Sequence, residues 1–449
     1  MTVEHLFLCG TVRGSKRAER GREVHRLALH GSGQNVNLKI SNISQPLVRN
    51  ISDPTLDLLD IAAYVYAADQ AVSRGGRVGR GVGRDWHRSM RLVVPVRLPG
   101  FWNQRSIGAL VNRTLSFLAG EQWKVSFEKL HTPPSVQTYI DFGDQWKARP
   151  ETVLLFSGGL DSLGGLVQEI EAGARCIALV THRSNPKTSA QVKRLVGAVR
   201  DQVGGSVELI HIPVWADKSS ALTKDTSQRT RSFLYAALGM AVAAMTECDT
   251  VRLYENGIVS LHLPIIGELV GARASRSTHP CAMGGFDQLL QHLIKPGARI
   301  ENPFLWLTKV DVVKLIRESA YAPLIGLSES CGGTFKKTKT RTHCGECSQC
   351  VDRRLAIVGA EATAYEDANM YAQRIELGVQ DGPARTMVGA YLKTARQFLR
   401  LDPAMFVATY PEVHRAASCL PGSADQAVEQ IVELCRRHGK GVTEAIAMW

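Results

Sequence analysis

The chain has 449 residues, 44% of them hydrophobic and 21% charged, with a formal net charge of +12. That length implies two or three domains with enough core to fold without disulfide staples, and the composition is that of an ordinary globular protein rather than a disordered or disulfide-scaffold chain. The basic balance favours an anionic partner such as a nucleotide or RNA without identifying either. No apolar run approaches the length of about 18 residues that a membrane span needs. The start, MTVEHLFLCG, carries an acid and too short an apolar run for a signal peptide. A cytoplasmic protein is therefore expected.

Residues 1–150 show strand-like runs at LFLCG, NVNLKI, RLVVPVRL and WKVSFEKL around helix candidates at TLDLLDIAAYVYAADQAV and SIGALVNRTLSFLAG. Together they predict a compact α+β domain. Between them lies Arg74-Gly75-Gly76-Arg77-Val78-Gly79-Arg80-Gly81-Val82-Gly83-Arg84, and with Arg88 and Arg91 this makes six arginines in eighteen residues against one acid, Asp85. Such a loop can follow a phosphate backbone, with Trp86 as a stacking platform, or be a solvated insertion. Composition leaves both readings open.

From 151 to about 360 the pattern changes. Strands near 152–156, 176–181, 207–214 and 250–254 alternate with helical stretches after each of the first two and one over 228–246. That alternation predicts an α/β fold, a doubly wound parallel sheet that binds its ligand beyond the carboxyl ends of the strands. The first strand runs directly into Ser157-Gly158-Gly159-Leu160-Asp161-Ser162. Glycines there let the backbone approach an anion, the following helix offers unpaired N–H groups and a positive dipole end, and the serines add hydroxyl donors. Asp161 would be repelled by bare pyrophosphate, so it is expected to hold Mg²⁺. A Ser-Gly-Gly turn can be plain loop punctuation, but a strand before it and a helix after it favour nucleotide binding. Without a GxxxxGK[ST] lysine to serve the terminal phosphates, the expected cleavage of ATP lies between the α and β phosphates. Thr181, His182 and Arg183, at the end of the next strand, are candidates for the adenine and ribose wall.

Cys331, Cys344, Cys347 and Cys350 form C-x12-C-x2-C-x2-C. Four thiolates at this spacing can close a tetrahedron around Zn²⁺, a structural site with no open position, and an iron–sulfur cluster is the rival occupant. His343 is expected beside the site or facing solvent. Lys336, Lys337, Lys339, Arg341, Arg353 and Arg354 are expected to favour the thiolates. The scattered Cys9, Cys176, Cys248, Cys281, Cys419 and Cys435 suggest reduced, mostly buried thiols. Residues 361–449 look like a helical extension, with helices at 384–401 and 424–438, the latter opened by a capping box at Ser423-Ala424-Asp425-Gln426.

The strand, SGGLDS turn and helix resemble the PP-loop ATP pyrophosphatase superfamily, with its HUP-like sheet. With the later cysteine quartet they are similar to its QueC branch, the 7-cyano-7-deazaguanine synthases. The resemblance implies ATP, Mg²⁺ and Zn²⁺. It also implies adenylation of a deazapurine-type carboxylate, with an amine then displacing AMP to give an amide or nitrile. Ser157 and Asp161 would be joined in catalysis by Lys309, at the end of Pro303-Phe304-Leu305-Trp306-Leu307-Thr308-Lys309, and by Arg231, a partial match in Gln228-Arg229-Thr230-Arg231-Ser232. Physically, Thr308-x-x-Asp311 is a helix-cap pattern, and Lys309 can equally be a plain solvated lysine. The chain departs from the branch at Glu255-Asn256-Gly257-Ile258-Val259-Ser260 and Ser275-Arg276-Ser277-Thr278-His279-Pro280. An altered acceptor pocket is therefore expected, with Glu255, Asn256, Arg276 and His279 as substrate candidates or as structural residues. The added N-terminal domain and tail look like the QatC-type proteins of bacterial antiphage operons, which implies a partner protein from such an operon. A tRNA-modifying enzyme and a non-catalytic nucleotide-binding scaffold are the alternatives. The oligomeric state is open, a homodimer included.

Overall fold

The computed structural model describes residues 3–13, 21–74, 87–139, 149–183, 186–263, 276–332, 338, 340–373, 375 and 383–449. Its strands are β1 (Glu4–Cys9), β2 (Arg22–Leu27), β3 (Val36–Leu38), β4 (Ser89–Val96), β5 (Gln122–Lys129), β6 (Thr152–Leu155), β7 (Cys176–Arg183), β8 (Glu208–Lys218), β9 (Thr250–Leu253) and β10 (Arg299–Glu301). The helices begin with α1 (Ser41–Leu47), α2 (Asp53–Ala71), α3 (Pro99–Trp102), α4 (Arg105–Ala119), α5 (Leu160–Glu171), α6 (Pro186–Val203), α7 (Arg231–Thr246) and α8 (Gly257–Leu261). They continue with α9 (Pro280–Leu293), α10 (Lys309–Arg317), α11 (Ser348–Gly359), α12 (Pro383–Arg400), α13 (Pro403–Thr409), α14 (Glu412–Ala417) and α15 (Ala424–Ala447).

The central sheet has the order β10-β9-β6-β7-β8-β3. Its strands are parallel except β3, which pairs antiparallel with β8. β6 is buried throughout, with three apolar residues after Thr152, because both of its faces are covered. Val153 and Leu155 pack into one core with α7 and α2, while Leu154 and Phe156 pack into another with α5, α6 and α10. β7 and β8 extend the sheet to one side of β6, whereas β9 and β10 lie on the other. The chain thus changes direction at β6, and the region beyond the carboxyl ends of β6 and β9 is the crevice position where sheets of this kind bind ligands.

A second sheet, β2-β1-β4-β5, is parallel throughout. The NVNLKI run expected among the N-terminal strands contributes β3 to the central sheet instead, with Val36 opposite Lys218. α2 is buried along almost its whole length, because the second sheet's core and α7 enclose it together. Its buried acids are matched by arginines: Arg97 bonds Asp57 at 3.0 Å and Asp60 at 2.9 Å. Arg74 and Arg88 both pair with Asp69 and Glu121, and Arg74 also reaches Asp225 at 3.3 Å. These two arginines are buried, which corrects their reading as part of a phosphate-tracking loop. Arg91 is half-buried on β4, while Arg77, Arg80, Arg84 and Trp86 lie outside the described residues.

The tail is helical as expected. α15 is capped by Ser423, whose hydroxyl accepts from the Gln426 N–H at 3.2 Å, and it runs well past residue 438. α12 and α15 pack around Phe398, Phe406 and Leu434 in a core that also contains Cys331, Cys344 and Cys350. Cys281 and Cys419, expected to be separate thiols, form a disulfide that ties the start of α9 to the turn after α14. No helix among the described residues is long and apolar enough to cross a membrane.

Gly257, first residue of α8, sits where a Cβ would come within 1.9 Å of the Leu305 carbonyl oxygen. Its N–H donates to Leu307 O at 2.9 Å. This close approach presses the 302–308 segment against the crevice. Gly257→Ala should lower unfolding free energy by about 1–3 kcal/mol in denaturant titration. Gly284→Ala, in open space on α9, should instead be neutral or stabilising by up to about 1 kcal/mol.

Candidate active site

The turn between β6 and α5 has the form of an anion cradle. Gly158 has φ +81° in the left-handed region, where a side chain is strained. α5 begins at Leu160 with Gly159 as its N-cap and no side-chain cap, so its first amides face the turn. Neutral hydroxyls hold them: Gly158 N–H donates to Ser162 Oγ at 3.1 Å, Gly159 N–H to Ser157 Oγ at 3.3 Å and Leu160 N–H to Ser330 Oγ at 3.5 Å. A phosphate oxygen is a stronger acceptor than any of these. The Gly158 carbonyl accepts from Glu329 N–H at 2.8 Å, which fixes the outer edge of the turn. Sequence reasoning missed Ser330, whose only sequence signal is its place next to Cys331.

A buried charge cluster lies beside this turn. Asp161 Oδ2 accepts from Lys309 Nζ at 2.5 Å and from Asn256 Nδ2 at 3.4 Å. Its Oδ1 is buried with no hydrogen-bond partner among the described residues. Lys309 opens α10 behind the Thr308–Asp311 capping box and is buried, so it is not a solvated lysine. A lysine in the first helical turn opposes the dipole. Burial also works against its charge, but Asp161, Asp352 and Glu255 outweigh that and hold its pKa above the ordinary value. Burial, followed by Asp161, pushes Glu255 up to about 7, against the pull of Lys309. Burial likewise pushes Asp352 up to about 6. The crevice therefore gathers three carboxyl groups around one ammonium. Asp161, Lys309, Glu255 and Asn256 were expected here from sequence; Asp352, on α11, was not.

The remaining candidates bond other groups of the protein. Thr181 Oγ1 donates to Phe156 O at 2.9 Å and lies 3.1 Å from His211 Nε2. His182 turns inward, with Nε2 2.9 Å from Ala216 O, while Nδ1 accepts from Arg231 Nε at 3.2 Å. Arg183 bonds Ser189 at 2.9 Å and lies over the Trp215 ring. Arg276 donates to Phe117 O at 2.8 Å and lies over that ring. His279 caps α9 by accepting from Cys281 N–H at 3.2 Å and packs on Phe117. The structure thus ties Arg276 and His279 to α4.

The cysteine quartet is assembled. The sulfurs of Cys331, Cys344, Cys347 and Cys350 all lie within 4.8 Å of one another, and Cys344 and Cys350 are 3.8 Å apart. Zinc–sulfur bonds of about 2.3 Å in a tetrahedron give an edge of about 3.8 Å. Sulfurs this close suit a single ion, not a cluster in which each thiolate binds its own iron. Cys344 N–H donates to Cys331 Sγ at 3.4 Å and Glu346 N–H to Cys344 Sγ at 3.5 Å, bonds that favour thiolates. The four donors fit zinc. His343 is fully buried, bonded to Ser330 N–H at 3.3 Å and to Thr342 at 3.0 Å. Arg353 and Arg354 pair with Glu366, at 2.6 and 3.3 Å. Lys336, Lys337 and Lys339 lie outside the described residues.

Two outcomes follow from these environments. Cys347→Ala should release zinc and lower stability, because binding energy at a closed thiolate site is folding energy; metal analysis and thermal melting check it. His182 is held neutral, its pKa lowered to about 3 by burial and by Arg231. The unfolded chain then binds the extra proton, so the stability His182 contributes is present above about pH 6.5 and is lost as pH falls toward 3. His182→Gln should flatten the fall in unfolding free energy measured between pH 6.5 and 4.

Over residues 269–361 the chain matches the family model described as Queuosine biosynthesis protein QueC. It is 25% identical to 7-cyano-7-deazaguanine synthase 1 of Sphingopyxis alaskensis over 229 aligned residues, covering 46% of this chain and 93% of that protein. Lys309, Asp352 and all four quartet cysteines fall inside the matched stretch, so the chain is similar to QueC proteins where it builds the C-terminal side of the crevice and the metal site.

Proposed function

We propose that the protein is a QueC-like, ATP-dependent carbon–nitrogen ligase that activates a carboxylate as an acyl adenylate. The observation that carries this reading is the set of three amides at the turn into α5, those of Gly158, Gly159 and Leu160, held among the described residues by neutral hydroxyls next to the buried Asp161–Lys309 pair. ATP phosphates seated on the turn would take those amides, freeing Ser157 and Ser162 to donate. Lys309 supplies positive charge beside the departing pyrophosphate. Mg²⁺ would be held through the unpartnered Asp161 Oδ1 and would add neutralising charge there.

One oxygen of the acceptor carboxylate attacks the α-phosphorus, and the bond to the oxygen bridging the β-phosphorus breaks. Pyrophosphate leaves with that electron pair. An amine then attacks the acyl carbon, AMP departs, and the amine loses a proton. Glu255, with its carboxyl pushed up to about 7, is matched to accept that proton near neutral pH. The turn and the lysine act by positioning and charge, so no side-chain nucleophile is needed.

The QueC likeness supports a 7-deazaguanine carboxylate as acceptor and an amide as first product; a nitrile follows where a second ATP adenylates the amide oxygen, AMP leaves with that oxygen and the nitrogen gives up its two protons. The residues that depart from the QueC branch around 255–260 and 275–280, with the additional N-terminal sheet and tail, support a specialised acceptor or donor. The reading extends to an antiphage operon, with ammonia or an amine on a partner protein as the nitrogen donor.

The test is pyrophosphate release with ATP, a 7-deazaguanine carboxylate and ammonium. Pyrophosphate and AMP should form in equal amounts. The double variant Asp161→Asn/Lys309→Met removes both charges together and so avoids a lone buried ion; it should melt cooperatively yet lose about 10²-fold or more in rate. Nucleotide binding with no pyrophosphate release from any carboxylate tried would favour a scaffold instead.

A further inference from the structure

β1 and β2 run parallel, with His5 opposite Glu23 and Phe7 opposite His25. Residues two apart on a strand share a face, so His5, Glu23 and His25 rise together from one side of the pair. His5 Nδ1 lies 3.3 Å from His25 Nε2. Glu23 Oε2 is 3.4 Å from the first and 3.8 Å from the second. Three atoms with lone pairs converge on one point.

A proton on His5 Nδ1 can be shared between His25 Nε2 and Glu23 Oε2, and still leaves the lone pairs of those two atoms facing each other at 3.8 Å. A divalent cation serves all three. Zinc bonds to nitrogen and oxygen of about 2.0–2.1 Å imply ligand separations of about 3.3–3.4 Å in a tetrahedron, and two of the three separations match that edge while the third is slightly longer. The His25 ring is held by stacking on Phe7 at 4.6 Å, and Phe7 is fully buried. The imidazoles are shielded, with side-chain exposures of 12% and 18%, whereas Glu23 is 61% exposed. The cluster therefore opens to solvent on its carboxylate side.

We propose that His5, His25 and Glu23 form a second metal site, separate from the cysteine quartet, for a divalent ion of the zinc class. Two imidazoles and one carboxylate suit zinc, cobalt or nickel better than magnesium or calcium. Three protein ligands leave one position for water or an external donor, as in sites that do chemistry rather than closed structural ones. The ion also ties β2 to its neighbour β1.

The test uses the full chain, stripped of metal by a chelator under reducing conditions, reloaded with Co²⁺ or Zn²⁺ and dialysed. Two ions per chain should remain. The quartet should give thiolate-to-cobalt charge-transfer absorption, and the second site only weaker ligand-field bands. His5→Ala and His25→Ala should each lose one equivalent and those weaker bands, with the thiolate absorption unchanged; Cys347→Ala should do the reverse. Glu23→Gln, a change at an exposed position, should weaken the second equivalent at least tenfold without disturbing the fold. One ion per chain in the wild type, a second equivalent that dialyses away, or unchanged stoichiometry in the histidine variants would overturn the site.

Discussion

The ion pair between Asp161 and Lys309 holds the crevice together. The two residues are 148 apart in sequence and meet at 2.5 Å inside the protein. A charge buried without its partner typically costs about 3–5 kcal/mol, so the start of α5 and the start of α10 must keep each other in place. Asn256 on the β9 side bonds the same carboxylate, and Glu255 and Asp352 bias the same ammonium. One interaction thus aligns the phosphate turn, the loop after β9, α10 and α11. The lysine is tolerated at a helix start, where it opposes the dipole, because three carboxyl groups surround it.

The cysteine quartet acts on the same crevice through position. The residues just before Cys331 lie between the thiols and the turn: Glu329 N–H bonds the Gly158 carbonyl and Ser330 Oγ accepts from Leu160 N–H. His343 holds the Ser330 N–H from the metal side. Arg353, fully buried, bonds Ser328 and the Ile325 carbonyl and is itself anchored by Glu366. A zinc ion on the thiols would therefore stiffen one wall of the nucleotide site while standing apart from the chemistry. The tail packs over this region and shares its core.

Local patterns were legible in the sequence wherever the determining contacts are local. The turn after β6 announces itself by glycines between an apolar strand and a helix, the α10 start by its capping box, and the thiol quartet by three cysteines at three-residue intervals. Asp352 was illegible because nothing around it in sequence points to a lysine on another helix. Arg74 opens and Arg88 follows a glycine-rich run that resembles an exposed loop, yet Glu121 and Asp225, which pair with them, lie far along the chain. The NVNLKI run is legible as a strand but its sheet is not, since antiparallel pairing with β8 is a tertiary choice. The disulfide joins cysteines 138 residues apart, a pairing no spacing rule suggests.

The turn at Ser157–Ser162 grips the phosphates of ATP, and a crystal structure with α,β-methylene ATP is the decisive experiment. The β-phosphate oxygens should lie on the amides of Gly158, Gly159 and Leu160, with the hydroxyls of Ser162, Ser157 and Ser330 turned away from them. A nucleotide bound elsewhere, with those amide–hydroxyl bonds intact, would overturn the phosphate-binding role of the turn.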